Sequence, residues 1–440
     1  MLHMTTVDSL PSRFLSGLNV RRSAALLAAR LILAALIATI GTASFAEPPP
    51  ARLRAVVTSG MPAPGGGTFD RFHLEGQPTI TPVNDRGQVA FFATLARARA
   101  SEGMFLADAN GIQAIALRGG AVPGGGKLDS FSNHPVPALN RSGAVAFTAS
   151  IAEGKASQGV FLSSKQRLRV IALSGGAAAS PTGGTFTEFH VPVLNDSEDV
   201  VFLAEVKRGR DTLEGIYLNR AGTLRKIAAA GDAAPGGGTY SAFGGPTINN
   251  NGDVAFAASI EGGAVNGGIF VASAKETRML VGAGNPEPSG GIFSQFSDRI
   301  SINSTGGVLF NAVLKLGPMG HGLFVAENGK IRLVASVGRE NATADDFIAL
   351  GQWPGLSDDG AVGFIAADVK GATGLYLAAA QQIKRRAIIG DVLADGSKLA
   401  SFPLYPSVTS SPRGTLAFEV LSESAGKKLD AVVVAGPPHD

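Results

Sequence analysis

The residue types that most often carry catalysis are sparse in this sequence of 440 residues. It has no cysteine, and the histidines of its long repetitive region are His73, His134, His190 and His321. No motif joins a serine to a histidine base, so nucleophilic catalysis has no support. The catalytic residues are therefore unknown from the sequence.

Two local patterns suggest bound ions, and both are better explained as turns. Gly124-Gly125-Gly126-Lys127 is similar to a phosphate loop, but Leu128 stands where Ser or Thr would bind magnesium. The acidic stretches at 195–199, 345–346 and 358–359 lack the alternating oxygen ligands of a calcium loop. We therefore predict no metal ion and no cofactor.

A third set of residues is a better candidate for a binding site. These residues differ from one another at positions where the surrounding sequence repeats, four to six residues before a recurrent turn. Whether they meet depends on the elements that carry them. They are His134, His190, Asp298, Arg299, Gln352, Trp353 and Tyr405.

The elements that must position these residues are seven repeats. The pattern Asn84-Asp85-Arg86-Gly87-Gln88-Val89-Ala90-Phe91 recurs at a spacing of 54 to 56 residues, which predicts one structural unit per copy. Two copies begin with serine instead of asparagine, and Glu198 replaces the glycine of the third copy. The later copies start at Asn140, Asn195, Asn249, Asn303, Ser357 and Ser411.

With this motif, the chain resembles the bacterial exported tandem-repeat family named for Asn-x-x-Gly-x-x-Ala-Phe, whose members carry differing C-terminal anchors. The resemblance covers residues 52–436 and implies export and a β-propeller-like repeat. It implies no activity, substrate or catalytic residue. The conformation of the three turns that depart from the motif is left open.

Each repeat predicts a four-stranded antiparallel meander. In the first repeat the strands are expected at 78–83, 88–95, 103–107 and 112–117. The second strand is apolar on both faces, which favours sheets stacked face to face around an axis. Residues 52–58 match a fourth strand and 430–435 a third, so the two are expected to pair. The sequence therefore predicts an all-β fold, a seven-bladed β-propeller over 52–436 closed by its N-terminal strand. An open β-solenoid or a two-domain sandwich array is the alternative.

In a propeller the first strand of each blade lines the central channel, so the seven candidate residues are expected at the channel mouth. The alternative is that they pack beneath the loops. The loops between second and third strands vary between copies and are expected on the same face. From the third of these loops Lys207, Arg208 and Arg210 are added as candidate binding residues.

The N-terminal segment predicts export. Arg21 and Arg22 precede an apolar run, and Ser44-Phe45-Ala46 presents small residues for cleavage after position 46. Residues 47–51 are then a linker and 437–440 a short tail. The segment 1–46 holds four of the 38 basic and one of the 35 acidic side chains, which leaves 34 of each.

A mature chain that is formally neutral predicts no nucleic-acid partner. No later segment is apolar enough to span a bilayer, so we expect no membrane anchor in the mature chain, and a monomer in the periplasm or outside the cell.

Two classes of function remain. We favour an exported non-catalytic repeat scaffold that binds an unknown protein or glycan through one loop face. The alternative is a hydrolase or lyase with its site at the channel mouth. An enzyme needs converging titratable groups with perturbed pKa values, whereas a binding protein needs exposed aromatic and polar loop residues.

Overall fold

The computed structural model of the protein describes residues 53–74, 80–131, 134–179, 182–338, 347–404 and 406–436. The predicted export segment 1–46, the linker 47–51 and the tail 437–440 lie outside these ranges, and so does Tyr405.

Every regular element of the described residues is a β-strand. In chain order the strands are β1 Leu53–Thr58, β2 Thr68–Phe69, β3 Val89–Ala96, β4 Glu102–Asp108, β5 Gly111–Leu117, β6 Lys127–Leu128, β7 Ala138–Leu139, β8 Val145–Ala152, β9 Gln158–Ser164, β10 Arg167–Leu173, β11 Thr185–Phe189, β12 Val193–Leu194, β13 Val200–Arg208, β14 Asp211–Arg220, β15 Thr223–Ala229, β16 Thr239–Phe243, β17 Thr247–Ile248, β18 Val254–Glu261, β19 Gly267–Ala272, β20 Thr277–Gly282, β21 Ile292–Ile302, β22 Val308–Lys315, β23 Met319–Glu327, β24 Lys330–Gly338, β25 Phe347–Leu350, β26 Gly355–Leu356, β27 Val362–Asp368, β28 Thr373–Ala379, β29 Gln382–Ile388, β30 Lys398–Ser401, β31 Val408–Ser410, β32 Leu416–Ser424 and β33 Lys427–Ala435.

Hydrogen bonding groups these strands by sequence repeat. Repeat 1 is the sheet β2-β3-β4-β5, and repeats 2, 3 and 4 use β6–β10, β11–β15 and β16–β20 in the same antiparallel order. Repeats 5 (β21–β24) and 6 (β25–β29) form one nine-stranded sheet through a single parallel pair, Val337 with Phe347. Repeat 7 has the order β30-β32-β33-β1. The predicted all-β class and its four-stranded antiparallel units are confirmed.

The first strand of a repeat differs from the prediction because it is interrupted. In repeat 3, β11 and β12 both pair with β13; between them the N–H of His190 still donates to the Leu203 carbonyl, while Val191 and Pro192 lie outside the ladder. Pro192 has no backbone N–H to donate to the ladder. In repeat 1 the predicted strand 78–83 is wrong over residues 80–82, and only Val83 bridges to Val89. Each break turns a few residues out of the sheet.

Buried side chains lie between consecutive repeats, as the two-faced apolar strands predict. In β3, Phe91 belongs to a cluster shared with repeat 7, and its neighbour Phe92 belongs to a cluster shared with repeat 2. Counted over the described part of the chain, seven such clusters occur, one for each successive pair of repeats including repeats 7 and 1. The core is therefore a series of layers between sheets.

The recurrent turns form a hydrogen-bonded series that we call the turn ladder. In each of the first five repeats the leading asparagine donates its side-chain amide to the carbonyl of the equivalent residue in the next repeat, at 2.9 to 3.2 Å. The same side chain accepts backbone N–H groups of its own turn. The turn ladder consists of Asn84, Asn140, Asn195, Asn249, Asn303, Ser357 and Ser411.

The three turns that depart from the motif keep its shape. Glu198 takes a φ of 61° where other copies have glycine, and Ser164 and Arg169 hold its carboxylate. Ser411 Oγ accepts the N–H groups of Arg413 and Thr415, as an asparagine side chain would. Ser411 has no side-chain amide, so it cannot also donate the hydrogen bond to the neighbouring repeat that the asparagines of the turn ladder donate.

The two ends of the described chain meet in one sheet. β1 pairs antiparallel with β33, from Leu53 opposite Ala435 to Thr58 opposite Ala431. In the turns, the N–H of Arg413 donates to Asp85 Oδ1 at 2.9 Å, which links repeat 7 to repeat 1. The predicted pairing of 52–58 with 430–435 is confirmed for residues 53–58 and 431–435, and residue 52 lies outside the described residues.

Candidate binding site

The first strands of all seven repeats line a common cavity of about 280 Å³. Most of its wall is apolar, with Val136, Val191 and Ile300 among the lining residues, while Arg299 and Trp353 add a cation and an indole. This volume is many times the ~30 Å³ that one water occupies in the liquid. It lies near the lower end of the range of ligand sites, about 300 to 1,000 Å³.

The breaks in the first strands carry the candidate residues. His190 follows β11 directly, and its backbone carbonyl accepts a hydrogen bond from Thr148 Oγ1 at 2.8 Å. In repeat 5 the pairing of β21 skips from Phe296 to Ile300, which releases Asp298 and Arg299 from the ladder. Of the residues at the breaks of repeats 2, 3 and 5, Arg299 lines the cavity, whereas His134 and His190 are not among its lining residues.

His134 and His190 form the centre of the site. Their ring centroids are 5.5 Å apart at an interplanar angle of 51°. The Nε2 atom of each ring is buried and has no hydrogen-bond partner among the described residues. Buried polar atoms are nearly always paired, so two unpaired ones in contact require an explanation.

Arg299 approaches this pair from repeat 5 across repeat 4. A Cβ added at Gly245 would lie 3.7 Å from its Nη1 and 3.9 Å from its Cδ. A Cβ at Gly244 would lie 2.6 Å from the carbonyl oxygen of Asp298, closer than real atoms come. A side chain at Gly244 would therefore clash with the backbone of Asp298, whereas a Cβ at Gly245 would make ordinary van der Waals contact with the Arg299 side chain. We call His134, His190 and Arg299 the mouth cluster.

The electrostatics of the mouth cluster favour neutral imidazole. Burial, followed by the effects of His190 and Arg299, lowers the pKa of His134 to about 4, although a hydrogen bond to the Phe189 backbone opposes the shift. Burial also lowers the pKa of Arg299, and Asp298 opposes this. Within the described ranges the Arg299 guanidinium has no ion pair and no hydrogen bond. The Arg299 guanidinium therefore keeps its charge near a neutral His134, and the Asp298 carboxylate that acts on it forms no ion pair with it.

The other candidate residues divide into two groups. Trp353 lines the cavity with Arg299, whereas Asp298 and Gln352 are exposed and line a neighbouring groove of about 610 Å³ that also includes His321. Burial lowers the pKa of His321.

The remaining candidates do not reach the cavity lining. Lys207, Arg208 and Arg210 are exposed at the turn between β13 and β14, and none of them lines the cavity. The predicted position of Tyr405 lies outside the described residues.

Sequence reasoning missed the residues that fix the breaks. Gln158 accepts the N–H of Phe189 at 2.7 Å and donates to its carbonyl at 3.2 Å, which positions the adjacent His190. Glu102 and Glu214 accept the N–H of the equivalent residues of repeats 2 and 4. A signal was present, because an acid or amide precedes the glycine of each of these third-strand motifs.

The described ranges show neither a metal-binding cluster nor a membrane-spanning helix. They contain no group of three or more His, Asp or Glu residues placed to hold a metal ion. They also contain no helix long and apolar enough to cross a membrane.

One known protein family matches most of the sequence. The model of a family of unknown function, DUF7453, matches residues 96–267 and again 264–432. The chain belongs to this family. Each of the two matches spans about three repeats, as expected for a tandem array. No curated protein matches the chain.

Several solved structures are similar in fold at low sequence identity. Oligogalacturonate lyase from Vibrio parahaemolyticus is 9% identical, with a TM-score of 0.45 over 88% of this chain and 98% of that one. A puromycin-hydrolyzing peptidase of Mycobacterium tuberculosis is 10% identical, with a TM-score of 0.45 over 87% and 56%. The Aleuria aurantia lectin is 10% identical, with a TM-score of 0.34 over 72% and 94%. At these scores none of their activities transfers to this chain.

Proposed function

We propose that the seven repeats form a closed seven-bladed β-propeller. The proposal is supported by the buried cluster between repeats 7 and 1, by the pairing of β1 with β33, and by the bond from Arg413 to Asp85. Thr409 Oγ1 adds a second link to repeat 1, at 2.6 Å from the carbonyl of Thr81. A cavity lined by all seven first strands is the channel that such a ring would have.

We further propose that the protein is an exported, non-catalytic scaffold that binds a ligand at the channel mouth and the loops around it. The observation that carries this proposal is the mouth cluster, with its two unpaired Nε2 atoms and a guanidinium that forms no ion pair among the described residues. Leaving buried polar atoms unpaired costs free energy, about 1 to 3 kcal/mol for each. A ligand that pairs these groups accounts for their retention.

Export is a separate part of the proposal and rests on the segment 1–46. Mass spectrometry of protein recovered outside the cytoplasm should find Glu47 as the first residue. Recovery of the intact segment 1–46 would contradict cleavage. Membership in the anchor-bearing Asn-x-x-Gly-x-x-Ala-Phe family likewise remains a proposal.

A hydrolase or lyase is the second candidate, and one observation favours it. His134 stays neutral at pH 7 and lies near Arg299, so it has the protonation state of a general base beside a group that stabilises negative charge. Turnover that His134→Gln abolishes while binding persists would favour the enzyme. Loss of binding without any turnover in the wild type would favour the scaffold.

Trp353 makes the binding proposal directly testable, because it is the single tryptophan of the chain and lines the cavity. Compounds that raise the thermal midpoint should be titrated while Trp353 emission is recorded. We expect ligands of the site to change the emission, and Arg299→Gln to weaken them. Arg278→Gln is the matched control, since Arg278 is exposed on β20. Ligands that stabilise the protein but leave both the emission and the Arg299→Gln affinity unchanged would refute this site.

A further inference from the structure

We infer that the mouth cluster binds the carboxylate of an organic anion whose apolar part occupies the cavity below it. This inference rests on the proposed function and adds the chemical class of the ligand. Charge, donor geometry and the nature of the cavity wall each support it.

The charge of the site calls for an anion. The Arg299 guanidinium has no ion pair among the described residues. Asp298 raises the pKa of Arg299 but forms no ion pair with it, and it is exposed and lines the neighbouring groove. A metal cation between the two imidazoles would be repelled by Arg299, whereas an anion would be attracted.

The donors fit a planar acceptor. A guanidinium offers two parallel N–H groups that match the two oxygens of a carboxylate. The two Nε2 atoms of His134 and His190 lie in one contacting pair and are the buried polar atoms of the cluster that lack partners. His134 is neutral and its Nδ1–H donates to the Phe189 backbone carbonyl, so its Nε2 is an acceptor. The donors available to a carboxylate are therefore the Arg299 guanidinium and the ring N–H of His190. Gln158 holds His190 in place through the Phe189 backbone.

The cavity wall defines the rest of the ligand. Below the mouth cluster the lining is aliphatic and proline-rich, with Val136, Val191 and Ile300 as examples. A compact anion such as phosphate would leave this wall without contacts, whereas an alkyl or aryl chain would bury apolar surface against it. The site therefore has the two-part character of an amphiphilic carboxylic acid.

Four probes separate these contributions. Octanoate has both parts, octanol has the same chain without the charge, acetate has the charge without the chain, and inorganic phosphate is a compact anion. Their dissociation constants should be measured by calorimetry and by Trp353 emission at constant ionic strength. We expect octanoate to bind at least about tenfold more tightly than each of the others, since a hydrogen bond to a charged group is worth a factor of about ten or more.

Variants then assign the effect to the cluster. Arg299→Gln should weaken octanoate by about tenfold or more and leave octanol unchanged, whereas Arg278→Gln should leave both unchanged. Equal binding of octanol and octanoate, or an unaltered octanoate affinity in Arg299→Gln, would overturn the carboxylate assignment while binding in the cavity still stands. Phosphate that equals octanoate would overturn the amphiphilic ligand. Octanoate that fails to bind the wild type would overturn the inference, and the compound screen described above would then decide the proposed function on its own.

Discussion

The turn ladder and the mouth cluster occupy opposite ends of the same first strands and treat buried polar groups in opposite ways. Asn195 of the turn ladder accepts two backbone N–H groups and donates to Asp199 and to the carbonyl of Asn249. In the mouth cluster the Nε2 atoms of His134 and His190 are buried without partners among the described residues. The turn ladder therefore contributes stability, whereas the mouth cluster keeps buried polar groups unpaired at a cost in stability.

The two ends also differ in repetition. The turn ladder uses nearly the same residues in every repeat, because each turn has the same neighbour to bind. The mouth cluster draws one residue from each of repeats 2, 3 and 5, and the close approach of the Asp298 backbone to repeat 4 requires Gly244. Variation on a constant scaffold is characteristic of a recognition surface.

Removal of β1 should produce the largest effect on the scaffold. Deleting residues 51–59 removes the pairing with β33 and the buried side chains of Leu53 and Val57. We expect the free energy of unfolding to fall by at least about 5 kcal/mol, measured by urea denaturation. Arg54→Ala is the control, since Arg54 is exposed in the same strand. An unchanged thermal midpoint in the deletion variant would refute closure by β1.

A single change in the turn ladder should have the next largest effect. Asn195→Ala removes four hydrogen bonds and leaves buried N–H groups of the turn unpaired, so we expect a loss of about 3 kcal/mol in the free energy of unfolding. Octanoate affinity should stay the same. Ser197→Ala, in the same turn, should change stability by less than about 0.5 kcal/mol. Weaker ligand binding at full stability in Asn195→Ala would reverse the roles assigned to the two ends.

Acid should lower the stability of the protein through the buried His134 of the mouth cluster. The pKa of His134 is about 4 in the folded protein against 6.5 in the unfolded chain, so the unfolded chain binds more protons between these values. The contribution of neutral His134 to the free energy of unfolding should therefore be fully present above pH 6.5. It should be lost as the pH drops toward 4, by about 2 kcal/mol once partial exposure to water is allowed for. The difference in unfolding free energy between wild type and His134→Gln should follow this fall. Parallel pH curves for the two proteins would contradict it.

The scaffold follows from the sequence because its determinants are local and periodic. The spacing of Phe91 and its six counterparts, the two-faced apolar second strands and the strand left over at each end predict the sheets and the pairing of β1 with β33. The turn also forms where Glu198 replaces the glycine of the motif, because Ser164 and Arg169 donate hydrogen bonds to the Glu198 carboxylate.

The site is predictable only in part, because spacing gives a residue's place in a repeat but not the direction of its side chain. The structure places His134, His190 and Arg299 near one another, whereas Asp298, next to Arg299, lines another groove. The break in the first strand depends on two features together: Pro192 and its equivalents, which cannot donate to the ladder, and Gln158, which holds the Phe189 backbone. The proximity of the Arg299 side chain to Gly245 depends on how repeats 4 and 5 pack together, and the sequence of one repeat does not predict it.

The central claim, that the mouth cluster keeps unpaired groups for a ligand, is tested most directly by Arg299→Met. The urea-unfolding free energy and the octanoate dissociation constant should be measured on the same samples of variant and wild type. Methionine replaces a partly buried cation that forms no ion pair among the described residues, so we expect a gain of about 1 kcal/mol in stability together with a loss of about tenfold or more in affinity. A variant that is less stable than the wild type and binds octanoate equally well would contradict it.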